Sequence, residues 1–144
     1  MSPGRYGASM ETINDTDETP RGNAFFVIEM TPAEPLLDGT ARFDFSKTWR
    51  GVLEGTSAGV ILSAGDPVAG SAGYVALETV DGVLDGRAGT FVLQQCGTMT
   101  AGSPTLTCAV VPGSATGELV GLQGTVEILS AEGEHEVQVS YSLG

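Results

Sequence analysis

The sequence predicts an all-β fold, an eight-stranded antiparallel β-barrel. Runs of β-branched and aromatic residues alternate with Gly, Asp-Gly or Pro along most of the chain, which is typical of strands separated by tight turns. Gly and Pro together contribute 28 residues (21 plus 7), and no stretch shows helical spacing with caps. Glycines also recur inside the predicted strands, which favours the strong curvature of a closed barrel over a sandwich.

The length and composition bound the domain organisation. A chain of 144 residues with 41% hydrophobic residues is the size of one folded domain. Residues 1–22 are polar and have no sustained period, so we predict a flexible N-terminal arm there. Residues 23–144 are predicted to form the barrel domain.

The charge excludes two classes of partner. Six Lys plus Arg residues against 18 Asp plus Glu give a net charge of −12, which repels nucleic acid and anionic membranes. The N-terminus lacks a basic region followed by an apolar one, and no long apolar stretch is present, so we expect a cytoplasmic protein. Two cysteines without CxxC spacing and a single histidine predict neither a disulfide framework nor a metal site.

The segment Thr40–Arg50 is the first strand whose faces can be assigned. Its aromatic residues Phe43, Phe45 and Trp49 alternate with polar ones, so one face is predicted to be buried and the other exposed to solvent. Lys47 is the exception, because the same alternation places it on the buried face.

The segment Gly73–Gly82 and the strand that contains Phe91 are joined by a predicted turn at residues 85–88. Any antiparallel register consistent with that turn places one carboxylate on the inner face, that of Glu78. The other inner-face residues of this pair are Tyr74, Ala76, Val80, Phe91, Leu93 and Gln95.

The middle hairpin leaves the position of the cysteines open. A turn at Gly102–Ser103 pairs Gln95 with Val110, directs Cys108 inward and directs Cys96 outward. A slip of one residue would instead place Cys96 beside Cys108.

The last hairpin has the clearest register. A turn at Glu132–Gly133 pairs Ile128 with Val137 and Gly124 with Tyr141, so the apolar side chains share one face and the Tyr141 ring covers bare backbone. Before this hairpin, residues 112–124 (PGSATGELVGLQG) lack the Lys-Ser/Thr ending of a phosphate-binding loop, and we interpret them as a turn that closes the barrel.

Three polar residues on the inner face are candidate catalytic groups: Glu78, Tyr74 and Gln95. A carboxylate on a barrel wall can act as a general acid, a general base or a hydrogen-bond partner of a substrate carbonyl. It can equally be a structural group bound to a backbone amide or to Lys47. His135, near the last turn, is predicted to be a rim residue without a catalytic role.

The remaining inner-face residues are candidate substrate-binding groups. Aromatic and thioether side chains suit a flexible apolar guest, but such residues also simply fill a small barrel. The candidates are Phe43, Phe45, Trp49, Phe91, Leu93, Met99, Cys108, Val137 and Tyr141.

Several longer strings resemble a known family. These are KTWRGVLEGTSAG, GSAGYVALETVDGVLDGRAGTFVLQQCGTM and VVPGSATGELVGLQG followed by HEVQVSYSL. Over residues 23–143 they resemble a bacterial family of uncharacterised domains with the allene oxide cyclase-like β-barrel. That superfamily includes enzymes that cyclise an unstable epoxide and enzymes that close polyketide rings by [4+2] addition.

The resemblance implies a cofactor-free cyclase that acts on a hydrophobic polyene- or polyketide-like molecule, and a homo-oligomer, with a dimer as the first expectation. Gln95 stands where the family usually has His, and Val52, Val137 and Ser140 replace more polar residues. These departures imply less acid–base chemistry and a more apolar guest. A non-catalytic carrier or sensor that uses the same lumen is the alternative.

Overall fold

The computed structural model describes residues 19–144, which form a closed antiparallel β-barrel. The eight strands follow one another around the barrel in chain order, and the first strand pairs with the last. The strands are β1 (Arg21–Ala33), β2 (Ala41–Gly51), β3 (Leu53–Asp66), β4 (Ser71–Leu84), β5 (Arg87–Thr100), β6 (Ser103–Val110), β7 (Gln123–Ser130) and β8 (His135–Ser142). The predicted fold class is therefore confirmed.

The N-terminal boundary can be compared with the prediction only in part. Residues 1–18 of the predicted arm lie outside the described residues. Arg21 and Gly22, the last two residues of that arm, already belong to β1, where they pair with Ser140 and Val139 of β8. The barrel strand thus begins two residues before the predicted domain start at residue 23.

Helical structure is almost absent from the described part of the chain. A single 3₁₀ turn, Gly117–Leu119, lies in the segment predicted to close the barrel, and its Leu119 is fully buried. Within residues 19–144, nothing helical is long and apolar enough to cross a bilayer.

The β4–β5 hairpin has the predicted inner face. Its turn consists of Asp85 and Gly86, with φ of 50° and 83°, as expected of a two-residue turn that matches strand twist. Glu78 lies opposite Leu93, and Ala76 lies opposite Gln95. The carboxylate of Glu78 is therefore inside the barrel, as predicted.

The β5–β6 hairpin corrects the predicted turn. The turn residues are Ala101 and Gly102, with φ of 51° and 80°, because a tight hairpin turn needs left-handed backbone at both positions. The pairing is shifted by two residues from the prediction, so Gln95 lies opposite Cys108 instead of Val110. A shift of two residues preserves the faces.

The cysteines consequently remain apart. Cys108 is buried inside the barrel, whereas Cys96 is exposed on the outer face opposite Thr107. The alternative register that would place the two thiols side by side is wrong.

The β7–β8 hairpin has the predicted register but a longer turn. Ile128 pairs with Val137 and Gly124 with Tyr141, as expected. The strands end at Ser130 and resume at His135, so the turn spans residues 131–134 instead of Glu132–Gly133 alone. A bulge beside Ser130 accommodates the extra residues.

The barrel interior has a solid half and a hollow half. The solid half lies toward the β4–β5 turn and the 3₁₀ turn, where large apolar side chains from all around the barrel meet. Its buried residues are Ala24, Leu53, Val80, Leu84, Phe91, Leu119, Leu122, Val137, Val139 and Tyr141. The hollow half lies toward the β1–β2, β3–β4, β5–β6 and β7–β8 connections.

One interface between neighbouring strands is much shorter than the others. β4 and β5 pair along almost their full length, whereas in the described chain β6 and β7 are bridged only at Ala109 and Thr125. We call this interface the seam. It borders the hollow half, because Leu106 and Ile128 line both the interior cavity and a groove along the seam.

Candidate functional site

The hollow half encloses a cavity of about 670 Å³, within the range of small-molecule sites. Its wall is mainly apolar and is built by residues from every strand of the barrel. The lining residues are Phe26, Ile28, Met30, Phe43, Phe45, Lys47, Trp49, Ile61, Ser63, Tyr74, Leu93, Gln95, Pro104, Thr105, Leu106, Cys108, Val126, Ile128, Ala131 and His135.

A buried ion pair lies where the hollow half meets the solid half. Lys47 Nζ is 3.0 Å from Glu78 Oε1, and the two side chains are 7% and 0% exposed. Removing two charges from water is costly, and the attraction between them offsets that cost only with additional hydrogen bonds. The neighbours of Glu78 supply those bonds.

Both carboxylate oxygens of Glu78 are occupied. Oε1 accepts a second hydrogen bond from Gln95 Nε2 at 2.8 Å, and Oε2 accepts one from Ser57 Oγ at 2.5 Å. Ser57 Oγ in turn accepts a hydrogen bond from Trp49 Nε1 at 2.9 Å. Glu78 is therefore surrounded by donors from β2, β3 and β5, and it is not among the residues that line the cavity.

The network reaches the cavity wall through Gln95. Tyr74 Oη donates a hydrogen bond to Gln95 Oε1 at 3.3 Å, so the amide links the phenol to the carboxylate. Burial raises the pKa of Tyr74, with smaller contributions from Cys108, Cys96 and Glu78. The phenol is thus protonated at neutral pH, and its single O–H is donated to Gln95.

Two glycines allow aromatic rings to lie flat on the wall. Phe45 pairs with Gly59, and a Cβ added at Gly59 would lie 2.6 Å from Phe45 Cζ. Tyr74 pairs with Gly97, where an added Cβ would lie 2.4 Å from Tyr74 Cε1. Because the glycine opposite each ring has no Cβ, the ring can lie against the barrel wall, and the cavity stays open.

Aromatic side chains surround the ammonium group of Lys47. Its Nζ lies 4.2 Å from the centroid of the Phe26 ring, 5.2 Å from Trp49 and 5.3 Å from Phe45. These distances permit cation–π attraction, which partly replaces the lost hydration of the ammonium.

Phe26 also contacts the only histidine. His135 stacks on Phe26 with ring centroids 4.6 Å apart, and its Nδ1 is buried without a hydrogen-bond partner among the described residues. His135 therefore belongs to the cavity wall, at the start of β8 beside the last turn.

The predicted site residues fall into four groups. Seven line the cavity: Phe43, Phe45, Trp49, Leu93, Cys108, Tyr74 and Gln95. Phe91, Val137 and Tyr141 pack instead in the solid half. Met99 lies in a smaller depression at the barrel rim beside Tyr74 and Pro104, and Glu78 lies behind the cavity wall.

Tyr141 is held by its hydroxyl group at the solid end. Its Oη donates a hydrogen bond to Asp85 Oδ2 in the β4–β5 turn. Burial, followed by this bond, raises the pKa of Tyr141 to about 12. We therefore assign Tyr141 a structural contact at the solid end, away from the cavity.

Sequence reasoning missed Phe26, Ser57 and the β1 residues Ile28 and Met30. Alternation in the segment Phe26–Met30 was a usable signal, since its even positions are apolar and face inward. No comparable signal marks Ser57, because a serine in a Gly- and Ala-rich strand gives no sign of a buried carboxylate opposite it.

The outer face of β3–β6 carries a separate apolar surface. Val75 and Leu77 are 52% and 58% exposed, and the depression between them is lined by uncharged residues such as Cys96 and Ala109. The homo-oligomer remains a prediction, and substitutions on this apolar face can test whether it is the interface.

Metal ligation has no obvious place in residues 19–144. No group of three or more His, Cys, Asp or Glu side chains in that range is arranged to hold a metal ion.

The closed eight-stranded meander with a half-filled interior defines the protein class as a small β-barrel domain with a cavity at one end. Residues 23–141 match the family model of DUF3224, described as a protein of unknown function, and the chain belongs to this family. A crystal structure of a protein with unknown function from the DUF3224 family of Shewanella oneidensis MR-1 is similar to it. The two share 42% sequence identity over 87% of this chain and 97% of that chain, with a TM-score of 0.81. Among curated proteins, no sequence matches the chain.

Proposed function

We propose that this protein binds a hydrophobic polyene- or polyketide-like molecule in the cavity and promotes its ring closure without a cofactor. The observation that carries the proposal is the cavity itself, about 670 Å³ of mainly apolar wall with one polar cluster at its inner end. Such a site suits an elongated apolar molecule with a single polar group.

Confinement is the main catalytic contribution that this geometry offers. A flexible linear substrate that is held folded has already lost the internal rotational freedom that opposes ring closure, and this lowers the barrier. Aromatic rings such as Phe45 and Trp49 supply broad, rigid surfaces against which a polyene can lie.

The polar residues have different roles in this proposal. Tyr74 and Gln95 line the cavity and can contact a substrate carbonyl. Glu78 acts as a positioning residue, because both of its oxygens are already occupied by Lys47, Gln95 and Ser57. The sequence resemblance to uncharacterised domains with the allene oxide cyclase-like barrel, a superfamily that includes cofactor-free cyclases, supports the choice of reaction class.

A specific observation favours a second candidate, a non-catalytic carrier. Glu78, the carboxylate that would act as a base, is paired with Lys47 and does not line the cavity. A carrier needs only the apolar cavity, so the two candidates differ in turnover and agree on binding.

The experiment compares two tryptophan substitutions on adjacent residues of β3. Ile61→Trp fills the cavity, whereas Leu62→Trp places the same side chain on the outer surface. Fluorescence of the neutral probe N-phenyl-1-naphthylamine should report binding to the wild type and to Leu62→Trp, and its loss in Ile61→Trp. Equal binding by both variants, or no binding by the wild type, would refute the cavity as the binding site.

Turnover is then measured with linear triene-enone substrates. Ring closure leaves the mass unchanged and shifts chromatographic retention, so mass spectrometry after chromatography detects it without a known product. A cyclase forms such an isomer with the wild type and not with Ile61→Trp. Binding of these substrates without any isomer would support the carrier instead.

A further inference from the structure

We propose that Lys47 binds a neutral carbonyl oxygen of the ligand. The inference rests on the proposed function and deepens it, because it assigns the polar end of the ligand and the residue that recognises it. It departs from the sequence-based expectation, in which Glu78 was the leading polar group.

Lys47 has hydrogen-bonding capacity to spare. An ammonium group carries three N–H donors, and Nζ uses one of them for Glu78 Oε1 at 3.0 Å. Within residues 19–144, Nζ makes no hydrogen bond to any other residue, and the ring centroids of Phe26, Trp49 and Phe45 lie 4.2 to 5.3 Å from it. A buried donor without an acceptor is costly, so an oxygen atom placed beside Nζ is stabilised.

The Lys47 side chain borders the cavity and is almost fully buried. Lys47 lines the cavity, yet only 7% of its side chain is exposed. Glu78 occupies the inner side of the ammonium and the aromatic rings flank it. A ligand that enters the cavity is therefore the natural source of a further acceptor.

The charge balance selects a neutral oxygen. The positive charge of Lys47 and the negative charge of Glu78 already cancel at 3.0 Å. A carboxylate ligand would add an uncompensated negative charge close to Glu78, in a chain whose net charge is already −12. A hydrocarbon would leave the donors unfilled. A ketone, ester or lactone oxygen accepts the hydrogen bond and adds no charge.

The same contact assists the proposed reaction. When a carbonyl is conjugated to the reacting double bond, its oxygen gains negative charge as the ring closes. A fixed ammonium donor stabilises that developing charge more than it stabilises the starting carbonyl. The substrate class thus becomes a linear polyene with a conjugated carbonyl at the end that reaches Lys47.

The test uses a long-chain methyl ketone, the alkane of the same length and the corresponding carboxylate. Each competes with N-phenyl-1-naphthylamine for the wild type, for Glu78→Gln and for the double variant Lys47→Met, Glu78→Gln. The double variant removes both charges together, so no uncompensated charge remains buried, and Glu78→Gln is the matched control that retains the ammonium.

We expect the wild type to bind the ketone about tenfold more tightly than the alkane and the carboxylate. Glu78→Gln should keep the preference for ketone over alkane. The double variant should lose that preference to within about twofold while it still binds the neutral probe.

A measurement on the wild type alone keeps the proposal falsifiable if the variants do not fold. The infrared carbonyl stretch of the bound ketone, labelled with carbon-13, should shift to lower frequency than in an alkane solvent. An unshifted band, no preference for the ketone in the wild type, or a preference that survives in the double variant would overturn the role of Lys47. Failure of the neutral probe to bind at all would instead overturn the proposed function, and this inference with it.

Discussion

The two halves of the barrel are built from the same eight strands and the same alternation of side chains, yet one half is solid and the other hollow. In the solid half, large side chains such as Leu84, Phe91 and Val137 meet across the axis. In the hollow half, the inward positions include Gly59 and Gly97, and the rings opposite them lie against the wall. The presence of a cavity is therefore decided by side-chain volume at a few inward positions, since strand number is common to both halves.

The largest expected effect comes from a pair of Phe→Ala substitutions, one in each half. Phe91→Ala removes a ring from close packing and should lower the free energy of unfolding by about 3 to 5 kcal/mol. Phe43→Ala removes a half-buried ring from the cavity wall and should cost about 1 kcal/mol. Chemical denaturation followed by circular dichroism measures both values.

Probe binding should show the reverse order for the same two variants. Phe43→Ala should weaken binding of N-phenyl-1-naphthylamine, whereas folded Phe91→Ala should bind it as the wild type does. Equal destabilisation by the two substitutions would mean that the hollow half is as closely packed as the solid one.

A smaller effect is expected at the hydroxyl group of Tyr141. Tyr141→Phe keeps the ring and removes the hydrogen bond to Asp85, at a cost of about 1 kcal/mol near neutral pH. Because the pKa of Tyr141 rises from 10.0 to about 12 on folding, the folded state retains a proton that the unfolded chain loses. The stabilisation is complete below pH 10 and disappears as the pH rises through 12.

The difference in unfolding free energy between the wild type and Tyr141→Phe should therefore shrink between pH 10 and 12. Denaturation curves of both proteins across this interval measure it. A difference that stays constant over the interval would contradict a raised pKa of Tyr141 in the folded protein.

The smallest effect leaves stability unchanged and compares the two thiols. Cys96 is exposed, whereas Cys108 is buried on the cavity wall, where burial raises its pKa to about 12. Alkylation by iodoacetamide at neutral pH should modify Cys96 quickly and Cys108 only on unfolding, because the thiolate is the reactive form. Peptide mass spectrometry identifies the site, and Cys96→Ser serves as the control that should show no fast reaction. Rapid alkylation of Cys108 in that variant would show that the cavity wall opens freely to water.

Much of the fold could be predicted from local patterns. Alternation placed Phe45, Trp49 and Lys47 on the inner face, and the last hairpin placed Gly124 opposite Tyr141, as observed. These inferences depend only on the two-residue period of a strand and on turn chemistry, which neighbouring residues determine. The β5–β6 turn was misplaced by a shift that conserves parity, so the faces were still right.

The candidate site was less predictable because it depends on contacts between distant strands. Phe91 and Phe45 look equivalent in a strand pattern, and only their height along the barrel axis separates packing from cavity lining. The position of Ser57 beside Glu78 depends on the β3–β4 register, which pairs Gly59 with Glu78 and Ser57 with Val80 and which the two-residue period alone does not give.

The seam is the place where the fewest backbone hydrogen bonds hold the barrel closed. Elsewhere, parting two neighbouring strands means breaking a longer run of backbone hydrogen bonds, but between β6 and β7 only Ala109 and Thr125 are paired within the described chain. The least costly way to widen the cavity is therefore a separation of β6 from β7, which would move Leu106 and Ile128 apart. Under the proposed function, a ligand too bulky for the resting volume would be accommodated there first.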